Sequence, residues 1–248
     1  MAGVVTSVVT NLVAIAAPEP VTAVLVAGTP PADSVPPGIS LAVGTALVSL
    51  VVTVVTGWLV DAVVVMAHEG SHALTAAFLG IPVHSIKIGA TEGGTYRSSA
   101  GALSTVPIKM AGYLGPSAFG LLGCIALAHG RYDVVLWGSV VLLVGLLAFT
   151  DNMFGWIAVT LIAVGLAAAA YRPSAQLHVW VGCCWTWVLL MGGLRTAVGH
   201  RRGGMDHRSL QEMTLVPAGC WGGVSVLFAL ATLAFGGFVM TGAVQLGN

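Results

Sequence analysis

LAVGTALVSLVVTVVTGWLVDAVVVMAHEGSHALTAAFL, residues 41–79, runs through apolar side chains almost without a break. As one straight helix it would be about 58 Å long at about 1.5 Å per residue, roughly twice the thickness of a bilayer's hydrocarbon core. It must therefore bend, tilt steeply or divide. Gly57 and the polar Asp61 mark a division into an outer span over 41–60 and a second helix over 61–79, and Gly80-Ile81-Pro82 then stops the helix. The second helix carries His68, Glu69 and His72 in an H-E-x-x-H pattern.

Composition gives the same solvent. Hydrophobic residues make up 57% of the 248, charged residues only 7%, and mean hydropathy is +0.96. A soluble domain carries about 25% charged residues, so most of this surface faces the lipid bilayer. Nine Lys+Arg are balanced by nine Asp+Glu, and the basic residues form no long stripe, which argues against nucleic-acid binding. Cys124, Cys183, Cys184 and Cys220 lie in apolar segments without C-x-x-C spacing and read as small core hydrophobes.

On a helix, positions i and i+4 share one face a turn apart. His68 and His72 can thus ligate one metal while Glu69 stands beside a metal-bound water. Ionisable groups at membrane depth cost about 2.5 kcal/mol or more each, so three within five residues imply a site that uses them. The pattern points to a zinc-dependent protease working within the membrane, in which Glu69 takes a proton from zinc-bound water and later passes it to the leaving amine. Asp61, on nearly the same face, reads either as a partner orienting a ligating histidine or as a simple interfacial charge.

Around this core the chain reads as an all-α polytopic membrane protein of about six to seven transmembrane helices with a short β-hairpin. Residues 1–40 form an N-terminal part, with apolar pieces at 4–17 and 21–28 and a Pro-rich linker at 29–37; residues 41–248 form the membrane domain. Between 83 and 105 the period-two texture of His84-Ser85-Ile86-Lys87-Ile88 and the turn at Gly93-Gly94 predict the hairpin. An open sheet edge cannot face lipid, so it is covered, wet, or paired with another strand, which in a protease could be the substrate. Further spans are predicted over 106–128, 134–149, 154–170, 177–194 and 215–240. Arg195, Arg201, Arg202 and Arg208 fall in one connection, which the positive-inside rule places in the cytoplasm together with the hairpin and the 150–153 turn.

A catalytic zinc holds three protein ligands and keeps one position open. Asp151, in the turn after the 134–149 span, and Asp206, in the Arg-rich connection, both lie on the predicted side; His200 and His207 are weaker candidates. Asn152 reads as a donor to the developing oxyanion or as a helix cap.

These motifs, taken in order, resemble the site-2 protease family of intramembrane zinc metalloproteases, and its small bacterial peptidase-like branch most closely. The residues that carry the resemblance are His68-Glu69-x-x-His72-Ala73 ending in Phe78-Leu79-Gly80, then Glu92-Gly93-Gly94-Thr95, then Ala111-Gly112-Tyr113-Leu114-Gly115-Pro116, and Asp206 preceding Leu210. The resemblance implies zinc bound by two histidines and a later aspartate, a catalytic glutamate, and a substrate that is the transmembrane segment of another protein. It also implies an integral protein of the bacterial cell membrane, with its site toward the cytoplasm and with Ala111-Gly112 and Gly115-Pro116 packed close to that site. The wider family sets its aspartate in an Asn-x-x-Pro…Asp-Gly arrangement. Asp151-Asn152-Met153-Phe154-Gly155 departs from that pattern, while Asp206 matches the smaller branch. Two other functions fit the same composition: a non-catalytic protein that binds transmembrane helices, and a metal or proton transporter. The absence of an internal repeat disfavours the transporter.

Overall fold

The computed structural model describes residues 37–90, 93–97, 101–202 and 204–243. The N-terminal apolar pieces, all but the last residue of the Pro-rich linker, and Glu92 lie outside the described residues. The chain is an all-α polytopic membrane protein with one small sheet.

The 41–79 run divides as its length requires. Helix α1 (Ile39–Val55) and helix α2 (Gly57–Phe78) meet at a bend of 103°. The break falls at Thr56, some five residues before the predicted boundary, and Arg195 explains its position. The Arg195 guanidinium fills the elbow: Nη1 donates to the Thr53 carbonyl at 3.2 Å and Nη2 to Asp61 Oδ2 at 3.3 Å. A β-carbon on Gly57 would lie 2.5 Å from Nη1, so glycine leaves the guanidinium its observed place against the carbonyl freed by the break. Asp61 therefore serves the bend and is not the partner of a ligating histidine.

Helix α1 is inverted relative to a soluble amphipathic helix. Ala42, Thr45, Ser49 and Thr53 face inward, while Leu47, Val51, Val54 and Val55 are exposed. The buried hydroxyls are satisfied within the protein, as when Thr45 and Thr53 donate to carbonyls one turn back and Ser49 donates to the Cys184 carbonyl. Lipid is the solvent that suits such a helix.

After α2, strands β1 (Val83–Ile88) and β2 (Gly93–Arg97) pair antiparallel, Ile88 opposite Gly93 and Ser85 opposite Tyr96. The outer edge of β1 is not left open. Ile86 N donates to Phe149 O at 2.7 Å, Asp151 N donates to Ile86 O at 3.0 Å, and the Asn152 carboxamide bonds both backbone groups of Ile88. The 149–152 turn thus covers the edge that could not face lipid.

Helix α3 (Ala102–Ala128) is central, packing against α2, helix α6 (Ala175–Gly199) and helix α8 (Ala218–Met240). Helices α4 (Tyr132–Leu147) and α5 (Met153–Tyr171) pair with each other, and their buried side chains close over Met66, Ile86 and Ile88. Helix α7 (Met205–Thr214) is short and polar and joins α6 to α8. Helix α6 passes its predicted end at 194, and Arg195, although exposed, is paired with Asp61 and the Thr53 carbonyl at the elbow. Among the described residues, four helices are long and apolar enough to span, up to five if the bent pair is one span, and α4 is a shorter apolar helix. Of the four cysteines, Cys124 and Cys183 are buried and Cys184 is partly so, whereas Cys220 is exposed and is not a core residue.

Candidate metal centre

The H-E-x-x-H turn lies midway along α2, where its side chains meet α3, β2 and α7. His68 Nε2 and His72 Nε2 stand 3.1 Å apart, and Asp206 Oδ2 lies 3.3 Å from the first and 3.1 Å from the second. The tautomer of His72 follows from its other nitrogen. Nδ1 is 2.6 Å from the Ile108 carbonyl, which can only accept, so Nδ1 carries the proton and Nε2 of the neutral ring presents a lone pair.

That lone pair faces a carboxylate oxygen and a second imidazole nitrogen, an arrangement that repels itself unless a proton or a cation lies among the three. Ligand atoms about 2.0–2.1 Å from a tetrahedral zinc stand roughly 3.3 Å apart. The observed separations match that spacing, so the donor set fits a metal ion. Among the described residues, His68, His72 and Asp206 are the group of ligating side chains that can hold one.

Two features of α3 make room for this set and orient it. Gly112 lies against both imidazoles, and a β-carbon there would come within 2.4 Å of His72 Cε1 and 2.7 Å of His68 Nε2. Lys109, one turn earlier, donates from Nζ to Asp206 Oδ1 at 2.5 Å. Burial alone would push the Asp206 carboxyl up, but hydrogen bonds with His68, His72 and Lys109 outweigh it and hold the group well below the usual carboxylate range.

Glu69 is buried next to this set and is not part of it. Thr95 on β2 donates to Glu69 Oε2 at 2.8 Å, and Gly93 packs against the Glu69 side chain so closely that a β-carbon would lie 2.8 Å from its Cγ. Tyr113 meets the His68 ring edge to face at 4.8 Å and stacks on His207 at 3.9 Å. A cavity of about 530 Å³ opens onto the centre, lined by His68, Glu69, His72, Thr95, Lys109 and Asp206 among others.

Of the two acids weighed from sequence, Asp206 meets the histidines. Asp151 is exposed in the 149–152 turn, where its backbone serves the edge of β1, so its place among the ligands is withdrawn. Asn152 is corrected as well. Its Oδ1 accepts from Ile88 N at 2.9 Å and its Nδ2 donates to Ile88 O at 2.8 Å, so its carboxamide is used in extending the sheet and not in facing an oxyanion. His200 and His207 ligate nothing: Nδ1 of His200 lies 2.9 Å from the Thr196 carbonyl, and His207 packs against Tyr113 and Ser225. Sequence reasoning passed over Lys109, Thr95 and Tyr113. The signal for Lys109 was present in its isolation as a cation in the apolar 106–128 segment. Thr95 and Tyr113 stood within the motifs of the resemblance but with no role attached, because the role of Thr95 depends on how the hairpin folds onto α2 and that of Tyr113 on how α7 docks on α3.

A polytopic helical bundle whose His, His and Asp side chains converge beside a buried glutamate belongs, as a class, with membrane-embedded metallopeptidases. A family model described as Peptidase M50B-like matches residues 40–236, and the chain belongs to that family of membrane metallopeptidases. No curated protein and no solved structure matches it.

Proposed function

We propose that the chain is an intramembrane zinc metalloprotease that cleaves a transmembrane segment of another membrane protein, with His68, His72 and Asp206 as zinc ligands and Glu69 as the general base. The observation that carries this reading is the convergence of Nε2 of both histidines and Oδ2 of Asp206 within 3.1–3.3 Å, with the carboxylate of Glu69 buried beside them and not among the ligands. A site used only to hold a metal has no need of that carboxylate.

Zinc, when bound, supplies a Lewis acid that lowers the pKa of water toward about 7 and polarises the scissile carbonyl. Glu69 accepts the proton of the attacking water at its carboxylate and delivers it to the departing amide nitrogen. The Thr95 hydroxyl holds Oε2 and so sets the direction of the carboxylate. His72 is aimed by the Ile108 carbonyl, which holds a proton on Nδ1 and so turns Nε2 toward the metal position.

The hairpin supports a way of presenting the substrate. One edge of β1 is taken by the 149–152 turn, whereas β2 borders the cavity through Gly93, Gly94 and Thr95. A substrate segment unwound and added as a strand along β2 would have its carbonyls exposed, as hydrolysis requires. Arg201 and Arg202 precede α7, which itself carries Asp206 and Arg208. The positive-inside rule applied to these residues supports a centre at the cytoplasmic side, in our reading that of a bacterial cell membrane, with residues 41–248 as the membrane domain.

Glu69→Gln tests the reading. Its zinc content and fold should match the parent, and cleavage of co-expressed single-span proteins should fall by about two orders of magnitude or more. The same shortened products at the same level from both forms would rule out Glu69 as the base. A module that only bound transmembrane helices would be indifferent to the substitution.

A further inference from the structure

We propose that Lys109 is a positioning residue that fixes the Asp206 carboxylate with Oδ2 turned toward His68 and His72, where it would serve as a metal ligand. This rests on the metal-site reading above. Lys109 is a cation on an otherwise apolar stretch of α3, a placement that is costly at membrane depth unless the charge is paired. Its Nζ lies 2.5 Å from Asp206 Oδ1, while Oδ2 faces the histidines at 3.1 and 3.3 Å. The carboxylate is thus divided between a fixed cation on one oxygen and the two imidazoles on the other.

Lys109 is not needed to dock the helix that carries Asp206. Helix α7 is seated by its own contacts: His207 is fully buried, stacks on Tyr113 at 3.9 Å and lies 3.2 Å from Ser225 Oγ, and Gln211 Oε1 accepts from Ala218 N at 2.8 Å. These hold the backbone of residue 206 but leave the rotation of its side chain open. The ammonium supplies that last constraint. Without it the carboxylate is free to swing Oδ2 away from the two imidazoles. Ile108, the neighbour of Lys109, performs the matching task for His72 through its carbonyl, so one turn of α3 orients two of the three ligands.

The test is competition for zinc between a chromogenic chelator and the purified full chain. Lys109→Met should weaken retention by about tenfold or more, the usual cost of removing a group that orients a ligand. Lys109→Arg, which keeps a cationic donor, should stay within about threefold of the parent. In an Asp206→Ala background, Lys109→Met should change nothing further. A Lys109→Met affinity equal to the parent's overturns the proposal, as does an equal loss in the Asp206→Ala background, which would mean that Lys109 merely supports α3. Lys109→Gln is measured alongside, so that poor folding of the methionine variant does not stand in for a result. Absence of zinc binding by the parent chain would remove the metal-site reading itself and this inference with it, and the parent titration alone reveals that.

Discussion

Gly112 stands directly beside the His72 imidazole, close enough that a β-carbon would lie 2.4 Å from Cε1 and 2.5 Å from Nε2. The ring cannot yield, because the Ile108 carbonyl holds its far side at 2.6 Å. Gly112→Ala should therefore push α3 from α2 or turn both imidazoles out of register. We expect loss of most bound zinc and a destabilisation of about 1–3 kcal/mol, read by metal analysis and by unfolding in detergent. Full zinc content in this variant would mean that the rings have more freedom than the packing allows.

Asp206 and Asp151 should separate cleanly. Asp206→Ala removes one of three ligand atoms and should leave zinc weakly held. Asp151→Ala alters an exposed side chain in the 149–152 turn and should retain zinc as the parent does. Metal analysis after dialysis against a weak chelator distinguishes the two, and retention in both variants would take the third ligand away from either acid.

The same residue carries a pH dependence in the metal-free chain. The Asp206 carboxyl is held below its ordinary value in the folded state by His68, His72 and Lys109, against the upward push of burial. A depressed folded pKa means stabilisation that is complete above the unfolded value of about 3.9 and is lost as pH falls through the folded one. Thermal midpoints of the parent should thus exceed those of Asp206→Asn near pH 5, with the gap narrowing below about pH 4. A gap that grows as pH falls from about 4 to lower values would contradict the sign.

What could be read in the chain follows from distance along it. The pairing of His68 with His72 is a property of one helical turn, and the break in the 41–79 run is forced by bilayer thickness; both were accessible from local arithmetic. Where the break falls was not, because Arg195, 142 residues from Thr53, supplies the hydrogen bond that caps α1. The third ligand was narrowed to two acids and no further, since choosing between them needs the docking of α7 on α3, where Tyr113 and His207 stack. Asn152 misled because its neighbourhood in sequence is apolar, while its partner is the backbone of Ile88, 64 residues away.

The elbow between α1 and α2 should depend on Arg195. Arg195→Met leaves the Thr53 carbonyl and Asp61 without their donor, and the loss should be about 1–3 kcal/mol, the cost of leaving a partly buried polar group unpaired. Asp61→Asn, which still accepts a hydrogen bond from the guanidinium, should cost less. Unfolding in mixed micelles measures both. Equal stability of Arg195→Met and the parent would show that packing alone holds the bend.

Thr95 links the hairpin to the chemistry, and its removal should separate rate from metal binding. The hydroxyl donates to Glu69 Oε2 at 2.8 Å and lies 3.3 Å from the Glu69 backbone carbonyl, but it touches no ligand atom. Thr95→Val keeps the branched shape and the strand preference while deleting the donor, so the fold and zinc content should be unchanged. The carboxylate then loses the contact that fixes its direction, and cleavage should slow by about tenfold or more, in line with the loss of a positioned catalytic proton acceptor. Thr95→Ser restores the hydroxyl and should recover most of the rate. Comparing product release by the three forms at matched zinc content checks this. A Thr95→Val rate equal to the parent's would leave β2 as a wall of the cavity with no part in orienting Glu69.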